Sequence, residues 1–534
     1  MFLPLWLELL LLGMSSFCNA DQFTPFSEFL RHIRGATYRN HVSTLVADER
    51  AFLEIQKHIL NMYGGVVSPA KVHSYFSSYG YTDCIPFSEQ PTFYLLNLTD
   101  EEKTPPPVDE DADLPDLGSR TDGVKGQPVA VSLLRDPQAV DIFGNAQHCP
   151  EGTVPQSRLT LERINRYGTL SNFFRKIPLF NSTLRDATDI HNGTSTRKRE
   201  VTREATRHED GFKHLHEVGR IVQGAGFVGA GSAMNVWNPN AGFSISQMWL
   251  VNKDGKQTIE AGWYVWGHGK PKPFVYYTTS GEGTGCYNED CPGFARPPMG
   301  GYPLDWEQEL TPSRLGGWQS ELRLAWKLVE SKWCLYYQTS NPFRNHLVGW
   351  YPVSLFGTAE GKLGKNAFRV DFGGEVADNE ARDRYGEMGS GIKVPGRGRA
   401  GYRQTAYQRN IQIKRDLQRD ASEIWAPPFL FSPEDETAER CYNQFIDPGI
   451  TVPTAGWGRY MFFGGPGGRH CDRETFTCPP ECPTSCIILH LCPNDPRCLG
   501  PRIDLEPACC PSRAAEENAF CRRQREFCRE RDCD

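Results

Sequence analysis

Between positions 221 and 413 the chain is a series of short apolar runs cut apart by Gly and Pro. The runs span 233–237, 243–251, 274–278, 324–328, 333–337, 347–351, 368–372 and 407–413. Many short strands with turn residues between them predict an antiparallel β-sandwich. Aromatics at 12% and 51 glycines suit a β-rich protein better than a helical one.

Within that region one run is chemically unusual. In 258–266, read as a strand, side chains alternate between two faces. Ile259, Ala261, Trp263 and Val265 share an apolar face; Glu260, Gly262, Tyr264 and Trp266 share the other. A carboxylate between aromatic walls is desolvated, and its pKa rises. Run 368–376 has the same format, with Arg369, Asp371, Gly373 and Glu375 on the less apolar face. In both, a glycine two positions from the glutamate is expected to leave room for a ligand. Two carboxylates in one cleft can divide labour, one as base for water and one as acid. Glu260 and Glu375 are thus the candidate catalytic pair. Gln247 and Trp249, with Tyr264 and Trp266, are candidates for the cleft walls, and Gln247 for steadying an oxyanion.

The flanks differ in composition. Residues 1–20 read as a secretory signal, with an apolar run from 3 to 14 and Cys18-Asn19-Ala20 as cleavage site. No other long apolar run exists, so no membrane span is expected. Sequons at Asn97, Asn181 and Asn192 agree with export. Residues 21–180 mix helix and strand signals as a small α+β domain. Asp48 can cap a helix running to Met62, with Phe52, Leu53, Ile55 and Ile59 near helical spacing. Residues 92–96 read as a strand, and 159–165 carry a short helix signal. The stretch 100–123, acidic and carrying Pro105-Pro106-Pro107, reads as a disordered insertion. Residues 181–207 read as a glycosylated linker with a processing site at Arg197-Lys198-Arg199. A β-sandwich domain is expected at 208–428, and a disulfide-rich tail at 429–534.

Of 18 cysteines, Cys18 leaves with the signal, so an odd number remains and at least one thiol has no intramolecular partner. Cys84 and Cys149, alone in their half, are expected to pair. Tail disulfides are favoured over zinc by export.

Several function classes are excluded. Net charge is −7 with pI near 6.1, so no basic field recruits nucleic acid. The G-x-G-x-x-G at 224–229 is followed by strand signal where a dinucleotide site needs a helix, and is rejected. No G-x-S-x-G or H-E-x-x-H is present. His208, His214 and His216 signal a metal only weakly, and His268 reads as a surface turn residue; neither a metal nor a cofactor is expected.

Ala233-Met234-Asn235-Val236-Trp237-Asn238-Pro239, Phe243-Ser244-Ile245-Ser246-Gln247-Met248-Trp249, Thr258-Ile259-Glu260-Ala261-Gly262-Trp263 and Thr284-Gly285-Cys286-Tyr287-Asn288 resemble the neprosin family in order and spacing. Val348-Gly349-Trp350-Tyr351-Pro352, Gly373-Gly374-Glu375-Val376, Met388-Gly389-Ser390-Gly391 and Ala406-Tyr407-Gln408-Arg409-Asn410 continue it, and Cys149-Pro150-Glu151-Gly152-Thr153-Val154-Pro155 looks like the end of that family's activation domain. The resemblance implies a secreted glutamic endopeptidase, made as a zymogen, active in acid and cutting after proline. It implies that the two family glutamates fall on Glu260 and Glu375, and that Cys286 pairs with Cys291. The substrate is then a protein or peptide, proline-rich by preference, with the chain's own N-terminal domain as inhibitor. The insertion at 100–123 and the tail depart from the family pattern. Two alternatives use the same sandwich: a secreted glycoside hydrolase with paired carboxylates, and a non-catalytic polysaccharide-binding protein.

Overall fold

The computed structural model describes residues 23–41, 45–77, 80–106, 113–118, 127–176, 212–267, 269–281, 284–298, 304, 306, 308–340, 344–379, 384–396, 398–416, 424–432, 441–447, 457–469 and 471. The signal, the sequons at Asn181 and Asn192, Arg197-Lys198-Arg199, His268 and the tail beyond 471 lie outside them.

Its strands in chain order are β1 (His73–Ser77), β2 (Gly80–Pro86), β3 (Val129–Ala130), β4 (Thr153–Ser157), β5 (Phe212–Asn235), β6 (Phe243–Val251), β7 (Thr258–Trp266), β8 (Lys272–Thr278), β9 (Gly285–Tyr287), β10 (Ser320–Val329), β11 (Lys332–Gln338), β12 (Asn345–Pro352), β13 (Ala367–Asn379), β14 (Arg384–Tyr385), β15 (Ala406–Arg415), β16 (Trp425–Ala426), β17 (Asn443–Ile446), β18 (Met461–Gly464) and β19 (Gly468–Arg469). The β runs expected between 221 and 413 fall in strands, except that 233–237 runs two residues past the end of β5, and the protein is mainly β, as expected.

Two antiparallel layers share one long strand. The first half of β5 pairs with β13, which continues through β6, β7 and β8 to β9; this is the front sheet. The second half of β5 lies between β10 and β15, in a back sheet running from β12 and β11 to β18 and β17. The register slips where Ala367 and Arg369 meet Phe227 and Val222. Gly226 sits in that gap with φ +76, and an added Cβ would meet the Asn366 side chain at 2.5 Å. Only glycine takes that backbone without strain, so it allows the strand to pass from one layer to the other. Ile259, Ala261, Trp263 and Val265 are all fully buried between the layers, the face predicted by alternation.

The N-terminal region has its own core. Helices Phe26–Gly35 and Glu49–Met62 pack Phe26, Phe29, Phe52, Ile55 and Ile59 together. Asp48 accepts from Ala51 N at 2.8 Å and caps the second helix as expected; Leu53, in the predicted apolar set, points to solvent instead. β1, β2 and β4 form a small sheet, and Cys84 is bonded to Cys149.

Three expectations need correction. Residues 92–96 are not a strand: Pro91–Leu95 is a short helix, because Pro91 at its start loses no hydrogen bond and Thr92 Oγ1 donates to Phe294 O rather than joining a ladder. Nor is 100–123 disordered throughout. Thr99 and Glu102 form a capping box on helix Asp100–Lys103, a local signal that composition hides. Glu102 is only 2% exposed and accepts from Ser354 N at 2.9 Å; Leu117 is fully buried. Finally, the sandwich does not stop at 428. Met461, Phe462 and Phe463 are fully buried in β18, and Cys441 is bonded to Cys471. The apolar run in β18 is strand signal that the cysteine-rich surroundings mask.

Candidate active site

Strand register brings distant residues into rows across the outer face of the front sheet. One row reads Tyr287, Tyr276, Glu260, Trp249, Asp371 and Arg220. The next reads Phe274, Gly262, Gln247, Gly373 and Val218. A third reads Tyr264, Ile245, Glu375 and His216. Gln247 thus sits between the two glutamates, diagonal to each.

Both glutamates are buried, Glu260 2% exposed and Glu375 not at all. They meet at a third residue. Lys176, from the N-terminal region, places Nζ 2.9 Å from Glu260 Oε2 and 2.6 Å from Glu375 Oε2. The first is a charge contact; the second is also a hydrogen bond. The two oxygens can therefore be no farther apart than the sum of those distances, 5.5 Å. Gln247 Nε2 donates to Glu375 Oε2 at 3.2 Å, while its own Oε1 is buried without a hydrogen-bond partner among the described residues. Thr258 Oγ1 donates to Glu260 Oε1 at 2.9 Å. His216 Nε2 lies 3.6 Å from Glu375 Oε2, with its ring edge-on to Trp249.

The electrostatics follow from burial. Glu260 is held above the usual carboxylate range, first by burial; Lys176 pulls it down and Glu375 pushes it up. Burial alone would lower Lys176, but the two glutamates overcome that and hold it above its usual value. Tyr287 is raised well above its ordinary value by burial and its neighbours, so it stays a neutral donor; its hydroxyl donates to Lys176 O at 2.8 Å.

Lys176 is delivered by two short capped helices. Thr160 caps Leu161–Asn165 and Thr169 caps Leu170–Phe173. Leu161, Ile164 and Phe173 bury into the N-terminal core, so the arm is rooted there. Arg163 adds an ion pair to Asp290 at 2.7 Å, and Tyr167 meets Trp266 with ring centroids 6.3 Å apart.

The structure brings together Glu260, Glu375, Gln247 and Trp249. Tyr264 and Trp266 are half-buried in an adjoining aromatic cluster with Phe274 and Tyr287. Cys286, in β9 beside Tyr287, is bonded to Cys291 in the turn that follows. The glycine argument is revised. A Cβ at Gly262 would lie 2.0 Å from Ser246 O and against Gln247. That glycine admits β6 at close range rather than a ligand. Lys176, Tyr276, Tyr287, Thr258 and His216 were missed. Alternation alone offers Thr258, two positions before Glu260 on the same face; the others come from separate strands or another region, and no local pattern announces them.

The comparisons with known proteins bear on this geometry. The Neprosin family model matches residues 240–466, which contain both glutamates and reach past the expected boundary at 428. Among solved structures, scytalido-glutamic peptidase with a transition-state analogue inhibitor is similar at 6% identity, covering 48% of this chain and 99% of its own, with a TM-score of 0.25. SCP-B, a member of the Eqolisin family in complex with the tripeptide Ala-Ile-His, matches with the same figures. Those likenesses are too distant to assign chemistry. The family match bears on it more closely: residues 240–466 match the Neprosin family model, and a peptidase of the glutamic type is what that match supports.

Proposed function

We propose that the protein is an exported acid endopeptidase, made as a zymogen, in which Glu260 and Glu375 act on one water and one peptide bond. The observation that carries this is the shared lysine. Two glutamates 115 positions apart contact the same ammonium, and that ammonium comes from the segment expected to block the cleft.

Glu375 is the base. Gln247 donates to it, which suits a group that works as an anion. Glu260 is the acid, since burial favours its neutral form. Once Lys176 leaves, a water between them gives a proton to Glu375 as its oxygen attacks the carbonyl carbon. The Glu260 hydroxyl donates a hydrogen bond to the developing oxyanion. The proton then passes to the amide nitrogen, the C–N bond breaks, and a new carboxyl and amine result. Trp249 and Tyr276 wall the dyad; their ring centroids lie 5.7 and 5.9 Å from Lys176 Nζ. Export, processing at Arg197-Lys198-Arg199 and a preference for proline belong to the same reading.

The acid-activated protein is offered a denatured proline-rich protein and, separately, a β-glucan. New peptide termini are expected. Released sugar instead would establish the glycosidase, whose retaining form needs carboxylates about 5–5.5 Å apart. No turnover with retention on polysaccharide would establish the binding protein. Near-normal peptidase activity in Glu260→Gln or Glu375→Gln would remove that glutamate from the dyad.

A further inference from the structure

The N-terminal region holds the sandwich at a second place, on the outer face of the back sheet. Gln90 is bonded both ways to the backbone of Arg296, at 2.8 and 3.0 Å. Phe93 and Leu98 pack on Trp350, Tyr336, Leu347 and Cys334. Trp350 Nε1 donates to Glu102 O at 2.8 Å, and Lys332 Nζ to Glu101 O at 2.8 Å. Farther on, Leu117 buries against Ala233 and Ala325; Gln338 takes its N–H at 3.0 Å, and Asn410 Nδ2 donates to its carbonyl at 3.0 Å. Gly118 lies over the buried Arg323 and Arg409, which share Glu321. Then β3 adds a parallel strand to β10, and Val131 and Leu133 enter the main core between the layers.

These are the contacts of a folding core. They satisfy backbone groups of the sandwich and fill its interior, so leaving would orphan donors and open voids. The contacts at the dyad are different, because they are mostly charges on titratable groups. We infer that the described stretches 90–106, 113–118 and 127–134 stay on the back sheet when the enzyme is activated, and that the working peptidase is a two-chain molecule from which only Lys176 and its turn withdraw. This rests on the reading of 181–207 as a processed linker. The bond between Cys84 and Cys149, 65 positions apart, closes the wrapped stretch into a loop, so a nick in the acidic insertion would not free it either. The retained chain would be held without covalent bonds, since its described cysteines pair with each other.

Cys334 supplies a reporter. It is free and buried, and it lies under Phe93 and Leu98. Departure of the wrapped stretch would expose it to a thiol-alkylating reagent.

Arg197-Lys198-Arg199 is replaced by the recognition sequence of a site-specific protease, and the full chain is cut. Gel filtration at neutral and at acid pH should give both chains in equal amounts in one active peak. Peptide mapping should find Cys334 as protected from alkylation as in the uncut chain. The same cut in Lys176→Ala should still give one peak, because the lysine is not what retains the chain. Separation of the N-terminal chain from the activity, or alkylation of Cys334, overturns the inference. So does separation in Lys176→Ala alone, which would make the dyad contact the holding element. Natural processing is read independently, from the intact mass of the secreted wild type. A wild type never cut in the linker defeats the processing reading, while retention is still decided by the engineered cut.

Discussion

The N-terminal region touches the sandwich through an arm and a wrap. The arm, 160–176, ends in an ammonium between two carboxylates and adds Arg163 against Asp290. The wrap, the described residues 90–106, 113–118 and 127–134, ends in apolar burial and bonds to backbone groups. One chain thus makes two kinds of contact with one body. Charge contacts between buried groups are lost when a proton neutralises one partner, since the other is then left unpaired. Apolar and backbone contacts do not titrate. On the proposed zymogen reading, this difference would let acid open the cleft without dismantling the fold.

The largest expected effect tests the arm. Breaking a buried pair costs about 3–5 kcal/mol, so Lys176→Ala should raise the peptidase activity of the uncut chain by about 100-fold or more. Unchanged latency in a fluorogenic peptide assay would show that the arm blocks by bulk alone. Its pH dependence has a definite sign. Lys176 lowers the pKa of Glu260 relative to the site without it. The open site therefore binds a proton more tightly, and falling pH favours opening. Because burial holds Glu260 above the usual range, wild-type activation should begin at milder acidity than an exposed glutamate would require. In Lys176→Ala that acid threshold should be absent, and rate against pH in the uncut chain measures it.

The wrap should answer in stability rather than latency. Leu117→Ala empties a fully buried site and should cost about 2–5 kcal/mol in denaturant unfolding of the whole molecule, with latency kept. Loss of latency without loss of stability would reverse the roles of arm and wrap. Gly118→Ala should cost about 1–3 kcal/mol: its φ is +152, and the new Cβ would stand 2.8 Å from Arg409 Nη2. Glu102→Ala is the smallest of these changes, at about 0.5–1.5 kcal/mol, because it removes one bond to the N–H of the exposed Ser354 while the backbone bond to Trp350 survives.

Much of the sandwich was legible because alternation is local. The buried face of β7 follows from every second residue between 259 and 265, and β6 was bounded to the residue. The format shared by Glu260 and Glu375 was equally local. Less legible were elements whose composition misleads. The acidic stretch at 100–118 looked unable to fold by itself, and by itself it buries little. Its described parts, 100–106 and 113–118, are ordered because the sandwich supplies their partners, Gln338, Asn410, Trp350 and Ser354. The strand at 461–464 was hidden among cysteines for the same reason, since its partner strand β15 lies more than 40 positions earlier.

The sequence by itself determined most strands between 221 and 413, the cap at Asp48, and which face of β7 and β13 carries a carboxylate, because these depend on neighbours a few positions apart. It also left one cysteine over, which among the described residues is Cys334. Only the tertiary structure decided that β6 runs between β7 and β13, so that Glu260 and Glu375 face one point. It alone decided that Lys176 occupies that point. Register across strands and docking of one region on another are set by long-range complementarity, which no stretch of chain contains.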